Sequence, residues 1–195
     1  MEKTKKILKI ILTLLLFIFI AALCFRMCQA SHEALDGLYV TDAFISAYSQ
    51  SNDVRTHAVN DQFSENGSVY AYSLIYIDEA GYLQISVRYN NRHIDDVIAS
   101  YPELKYDDIY YVLEDENGST YTPSVLDSAS KYNYTYFKLE FTGVSFENTD
   151  LKIKMVLGDI DINVGDMSTL TIHRKDDTYI PYDFSKKEQA LLPNN

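Results

Sequence analysis

Val69-Tyr-Ala-Tyr-Ser-Leu-Ile-Tyr-Ile77, then Asp78-Glu-Ala-Gly81, then Tyr82-Leu-Gln-Ile-Ser-Val-Arg-Tyr89: two β-rich runs stand either side of a four-residue turn that ends in glycine. That arrangement predicts a hairpin. In the second run Leu83, Ile85, Val87 and Tyr89 share one face, while Gln84, Ser86 and Arg88 share the other. A period of two predicts an antiparallel sheet with one wet side.

The pattern continues downstream. Ile109–Glu114 and Ser119–Thr122 flank Asp115-Glu-Asn-Gly118, a second hairpin signal. Tyr132–Phe141 places Phe137, Leu139 and Phe141 inward, with Lys138 and Glu140 outward. Leu151, Ile153, Met155 and Leu157 alternate with Lys152 and Lys154, and Ile160–Val164 and Thr169–His173 add two short strands. Ile94–Tyr101 breaks the alternation: Asp95 or Asp96 can cap a helix, Val97, Ile98 and Tyr101 follow at helical spacing, and Pro102 ends it. Upstream, Leu38–Tyr48 is rich in apolar and β-branched residues and reads as a first strand. Short strands spaced about ten residues apart predict an all-β antiparallel sandwich with one short helix.

Tyr82–Asn90, Tyr111–Pro123 and Phe137–Gly143 together resemble the small immunoglobulin-like modules of bacterial envelope proteins, over roughly Val69–Leu157. The Cys…Trp…Cys of true immunoglobulin domains is missing, and the helix at Ile94 is a departure. The resemblance implies an immunoglobulin-like β sandwich that binds, spaces or docks. It brings no catalytic residues.

Ahead of the strands, Ile10–Phe25 carries no charge. Counted from Ile7, with Lys9 reaching the headgroups, it approaches the about 20 residues that cross roughly 30 Å of hydrocarbon. Lys3, Lys5, Lys6 and Lys9 before it, against Arg26 after it, predict a cytoplasmic N-terminus. The same features fit a secretory signal cut after Ala30, and Cys24 offers a lipidation site, though Leu23 stands where a small residue is wanted. The length of the run favours an uncleaved transmembrane helix. The chain then divides into a cytoplasmic stub (1–9), a transmembrane anchor or signal segment (10–26), a connector holding the first strand (27–65), a β sandwich (66–175) and a C-terminal tail (176–195). A nine-residue stub leaves no room for a cytoplasmic output domain.

Composition narrows the partners. The chain has 17 basic and 28 acidic residues. The first thirty hold five basic and one acidic, so Ser31–Asn195 keeps twelve against twenty-seven, a net of −15. A nucleic-acid partner is not expected without a basic face. Both cysteines, Cys24 and Cys28, lie in or beside the apolar run, so the exported part has no disulfide framework. The low-cysteine, tryptophan-free, tyrosine-rich composition suggests a bacterial source.

Catalytic patterns are weak. Asp159, Asp161 and Asn163 approach a calcium loop, but glycine falls one place late and Leu170 replaces the closing Glu. His32, His57, His93 and His173 are not at metal-ligand spacing. Ser128-x-x-Lys131 lacks its companion motifs. Asp95, Asp96, Asp107 and Asp108 would serve a hydrolase only if the fold gathered them. Tyrosine stands out, at seventeen. Tyr70, Tyr72 and Tyr76 fall on one strand face and Tyr132, Tyr134 and Tyr136 on another, as candidate outward ladders for a sugar or a protein. The expected function is a membrane-anchored, extracytoplasmic, non-enzymatic binding or assembly module, such as an accessory subunit of an envelope complex. It would be held in the cell membrane by residues 7–25, or secreted if cleaved near Ala30. A glycan-binding module of the cell wall is the alternative and a hydrolase the third reading. No cofactor is expected.

Overall fold

The hairpin that opens the sequence reading is the centre of the structure, a computed structural model that describes residues 2–32, 35, 37–57, 61–62, 69–145, 150–161, 169–171 and 180–193. The chain separates into two compact units, Met1–Asp36 and Gly37–Asn195.

The first unit is one helix, α1 (Glu2–His32). Its stretch Lys5–Phe25, 21 residues, is long and apolar enough to cross a membrane, with a mean hydropathy of 2.9 in its 18-residue apolar window, none of which is buried. Phe17 is 71% and Leu12 68% exposed. The helix includes Cys28, Gln29 and Ala30.

The second unit begins with α2 (Asp42–Gln50), where the sequence predicts a strand. Thr41 is the reason. Its hydroxyl accepts the Phe44 amide at 3.0 Å, an N-cap that starts a helix, and Phe44 and Ala47 then recur on one buried face. There follow β1 (Arg55–His57), β2 (Asp61–Gln62), β3 (Val69–Ile77) and β4 (Tyr82–Asn90). Next come α3 (Asn91–Ser100), a 3-10 turn (Tyr106–Asp108), β5 (Ile109–Glu114) and β6 (Thr120–Tyr121). β7 (Ser124–Lys131), β8 (Tyr134–Thr142), β9 (Asp150–Leu157), β10 (Ile160–Asp161), β11 (Thr169–Thr171), β12 (Ile180–Pro181) and α4 (Lys186–Gln189) complete the chain. The helix expected at Ile94 is α3, capped by Asn90 through the Arg92 amide at 3.1 Å rather than by Asp95 or Asp96.

All described pairings are antiparallel. One sheet runs β12-β1-β3-β4-β8-β7, with β2 beside β3; the other runs β10-β9-β5-β6, with β11 beside β9. The chain passes between sheets through α3, from β6 to β7, from β8 to β9, and from β11 to β12. The sheets share one apolar core: Leu83, Ile85, Val87, Leu139 and Phe141 from the first, Leu113, Leu151, Ile153, Met155 and Leu157 from the second. Each such side chain stabilises the fold by about 1.5–3 kcal/mol on leaving water.

The other face of the first sheet is not the wet side that alternation predicts. Its rungs, read across β3, β4 and β8, are Ile77–Tyr82–Thr142, Ile75–Gln84–Glu140, Ser73–Ser86–Lys138 and Tyr70–Arg88–Tyr136. Leu38, Phe44 and Ala47 pack on Ile75, Ile77 and Tyr82 as a second apolar cluster. The polar rungs next to it are buried: Gln84, Ser86 and Lys138 are 0% exposed and Glu140 7%. They are tolerated because they are bonded. Gln84 Nε2 donates to the Tyr39 carbonyl at 2.7 Å, the Tyr39 amide returns to Gln84 Oε1 at 3.1 Å, and Lys138 Nζ donates to Ser86 Oγ at 3.1 Å.

The segment expected to run as a surface tail is built into this arrangement. β12 pairs with β1, and Tyr182 and Phe184 pack on the α2 cluster. The unit therefore starts at Gly37, within the expected connector, and takes in what was expected to be tail.

Candidate functional site

The tyrosine ladders do not survive as ladders. β3 has a bulge: Ala71 stands opposite Val87 and Ser73 opposite Ser86, so two steps on β3 match one on β4. The extra residue flips the parity. Tyr70 stays on the Arg88 face, half-buried, while Tyr76 turns into the core between the sheets at 1% exposure. The side chain of Tyr72 lies outside the described residues. On β8, Tyr136 is 2% exposed, a correction to its expected outward position, and Tyr134 is half-buried. Tyr132 is 64% exposed, at the β7–β8 turn with φ of 56°.

What the fold does gather is a cluster around Arg88, on the face that alternation predicts to be wet. The Tyr70 ring from β3 and the Tyr134 ring from β8 flank the guanidinium carbon, with centroids at 5.1 Å and 5.0 Å. These are cation–π distances. Tyr136 lies directly across β8 from Arg88, and Lys131 stands across β7 from Tyr134. The signal was present in the sequence: Arg88 is the lone cation of its strand, and strand order decides which tyrosines reach it.

A second feature is a cleft of about 520 Å³ beside α3, between β7–β8 and the turn that leads into β5. Tyr89 and Phe137 line it with stacked rings 5.9 Å apart, together with Asn91, Tyr106, Asp107, Ser128, Ser130 and Thr135. Thr135 Oγ1 donates to Asn91 Oδ1 at 2.8 Å and lies 2.9 Å from Ser130 Oγ. Behind Phe137, the Tyr111 hydroxyl is buried without a hydrogen-bond partner among the described residues, and burial, with Tyr89 nearby, drives its pKa well above the ordinary value.

The remaining candidates are dispersed. Tyr106 donates to Asp95, Asp108 accepts the Lys105 amide at 2.7 Å, and Asp96 is exposed. Only Asp107 of the four carboxylates lines the cleft. Ser128 and Lys131 are three apart on one strand, hence on opposite faces. Asp159 is exposed beside a turn; the Asp161 side chain, Asn163 and His173 lie outside the described residues. Among the described residues no three His, Cys, Asp or Glu side chains group as metal ligands. Compared with family models, with curated proteins and with solved structures, the chain matches none.

Proposed function

We propose that this chain is a membrane-anchored, non-enzymatic binding or assembly module whose β unit lies outside the cytoplasm, held by residues 7–25. The observation that carries the reading is the edge strand β7. Among the described residues it pairs only with β8, it is exposed along most of its eight residues, and Val125 presents 56% of its surface. An open edge with one bulge near Val125 and few charges is a surface to which another chain can add a strand. The four lysines before the apolar helix favour the outward orientation. Two antiparallel sheets around one core speak for an immunoglobulin-like build, to which α2 and α3 are additions.

The test is a photo-crosslinking amino acid at Ser128 in the full-length protein, in cells, with mass spectrometry of the products and of the mature N-terminus. One membrane or envelope protein captured repeatedly supports assembly through β7. No adduct, with protease unable to reach the β unit from outside, sinks both the partner and the orientation.

The cleft favours a second reading, recognition of a cell-wall glycan. Stacked aromatic rings beside hydroxyl and amide groups suit a sugar ring, and the cleft does this better than the outer tyrosines. Phe137→Ala would then abolish retention on wall material, whereas Tyr132→Ala would not.

A further inference from the structure

Arg88 is a half-buried charge with no acceptor among the described residues. Its Nε is buried and makes no hydrogen bond, and no hydrogen bond or ion pair joins the side chain to any described residue. Arginine has five N–H donors, and burying one without an acceptor is unfavourable unless something else supplies it. Acids are plentiful in this chain, yet the residues around Arg88 on the sheet are Tyr70, Tyr136, Tyr134, Ser86 and Asn90, all uncharged. The same face carries Lys131 and Lys138, and its acids, Asp127 opposite Lys138 and Glu140 one rung further along, are engaged by the Tyr39, Tyr82 and Thr41 hydroxyls. The two tyrosine rings, one from each neighbouring strand, stand 5.1 Å and 5.0 Å from the guanidinium carbon, and such contacts reduce the side-chain freedom left to be lost on binding.

We propose that the Tyr70–Arg88–Tyr134 cradle is a binding site for an oxyanion, a carboxylate or a phosphate. The free N–H groups of Arg88 donate to the two oxygens, a geometry that guanidinium offers and ammonium does not. Lys131 adds long-range attraction in a domain whose net charge otherwise repels anions. The inference stands apart from the partner at β7: a structural cation–π strut would look similar in the free protein but would not respond to anions.

The experiment uses the full-length chain, ¹⁵N-labelled, in polyoxyethylene ether micelles, and follows the Nε–Hε signals of its five arginines. Arg88→Gln assigns the Arg88 signal. Glucuronate and glycerol phosphate are titrated separately at fixed ionic strength, with chloride as control. The expected result is a saturable movement of the Arg88 signal alone, with affinity at least about tenfold weaker by calorimetry in Arg88→Gln. Tyr70→Leu with Tyr134→Leu should weaken it severalfold while circular dichroism stays unchanged. Response to glucuronate only identifies a carboxylate ligand, to glycerol phosphate only a phosphate ligand, and to both a site for oxyanions in general. An Arg88 signal that does not saturate with either acid, or that moves no more than the other four, overturns the proposal.

Discussion

The Tyr82 hydroxyl donates to Glu140 Oε1 at 2.6 Å, across the β4–β8 pair, where the Phe44 ring of α2 meets the Tyr82 ring edge-on at 5.5 Å. The same carboxylate oxygen accepts the Thr41 hydroxyl at 2.5 Å, and Gln84 Nε2 donates to the Tyr82 hydroxyl at 2.5 Å. The helix cap and the sheet thus share one acceptor. Glu140→Ala leaves the Tyr82 and Thr41 donors buried without it, and should destabilise the β unit by about 1–3 kcal/mol. Urea denaturation of the full-length protein in micelles, followed by tyrosine fluorescence, measures this. An unchanged midpoint would mean that α2 is not docked as described.

Among the phenols that should titrate late, three are raised to a common value. Burial, then a bond to a carboxylate, pushes Tyr39 (to Asp127), Tyr106 (to Asp95) and Tyr182 (to Glu188) up to about 12. A raised folded pKa means that the stabilisation is complete below the unfolded value of about 10 and is lost as pH rises toward 12. Phenolate absorbance of the native protein should show a late-titrating fraction that shrinks by one tyrosine in Tyr39→Phe.

Acid acts through two carboxylates. Burial raises the pKa of Asp115, but the Ser119 and Asn117 amides and the Tyr121 hydroxyl outweigh it and hold it below the ordinary value. Glu188 is lowered in the same way, against burial, by Ser185, Tyr182 and the Leu38 amide. A lowered folded pKa gives stability that is present above about pH 4 and is lost as pH falls through the depressed value. The urea midpoint should drop below that pH, and the Asp115→Asn, Glu188→Gln double variant should show a flatter acid limb.

Glycine at the first hairpin is required twice over. Gly81 has φ of +60°, and a Cβ there would sit 2.8 Å from the Val144 carbonyl oxygen and 3.2 Å from its nitrogen, backbone atoms that cannot swing away. Gly118 has φ of +79° and open space around it. Both alanine variants incur the left-handed penalty of about 1–2 kcal/mol, and only Gly81→Ala adds the clash. Thermal melts should place it clearly below Gly118→Ala; equal melts would show that the Val144 contact is absent.

The strand content was legible because alternation is a local signal: the β3–β4 hairpin and the inward face of β9 follow from it directly. Two non-local facts defeated it elsewhere. The bulge at Ala71/Ser73 reverses Tyr76 relative to Tyr70, and nothing between Val69 and Ile77 announces it. Gln84, Ser86, Lys138 and Glu140 look like solvent residues, but they are a buried polar layer whose partners include Tyr39 and Thr41, far earlier in the chain. The α2 helix was half-legible: Thr41-Asp42 is a helix start, and Phe44, Ala47 and Tyr48 keep helical spacing, yet Ile45 and Val40 drew the reading toward a strand. The Arg88 cradle needed strand order, since Tyr134 lies forty-six residues away.

The Leu38 amide donates to both the Tyr182 hydroxyl and Glu188 Oε1, each at 3.0 Å, 144 and 150 residues further along. A ribosome adding about 5–20 residues per second takes roughly 8–30 s to travel from one to the other. Throughout that interval the opening turn of the domain has been made and its latch has not. Phe44 and Ala47 have Ile75, Ile77 and Tyr82 to pack on well before Tyr182 and Phe184 arrive to close the cluster, so the domain is sealed by residues made late. Birth order and closing order run opposite ways, so a chain interrupted before Tyr182 is left without the fastening for its own beginning.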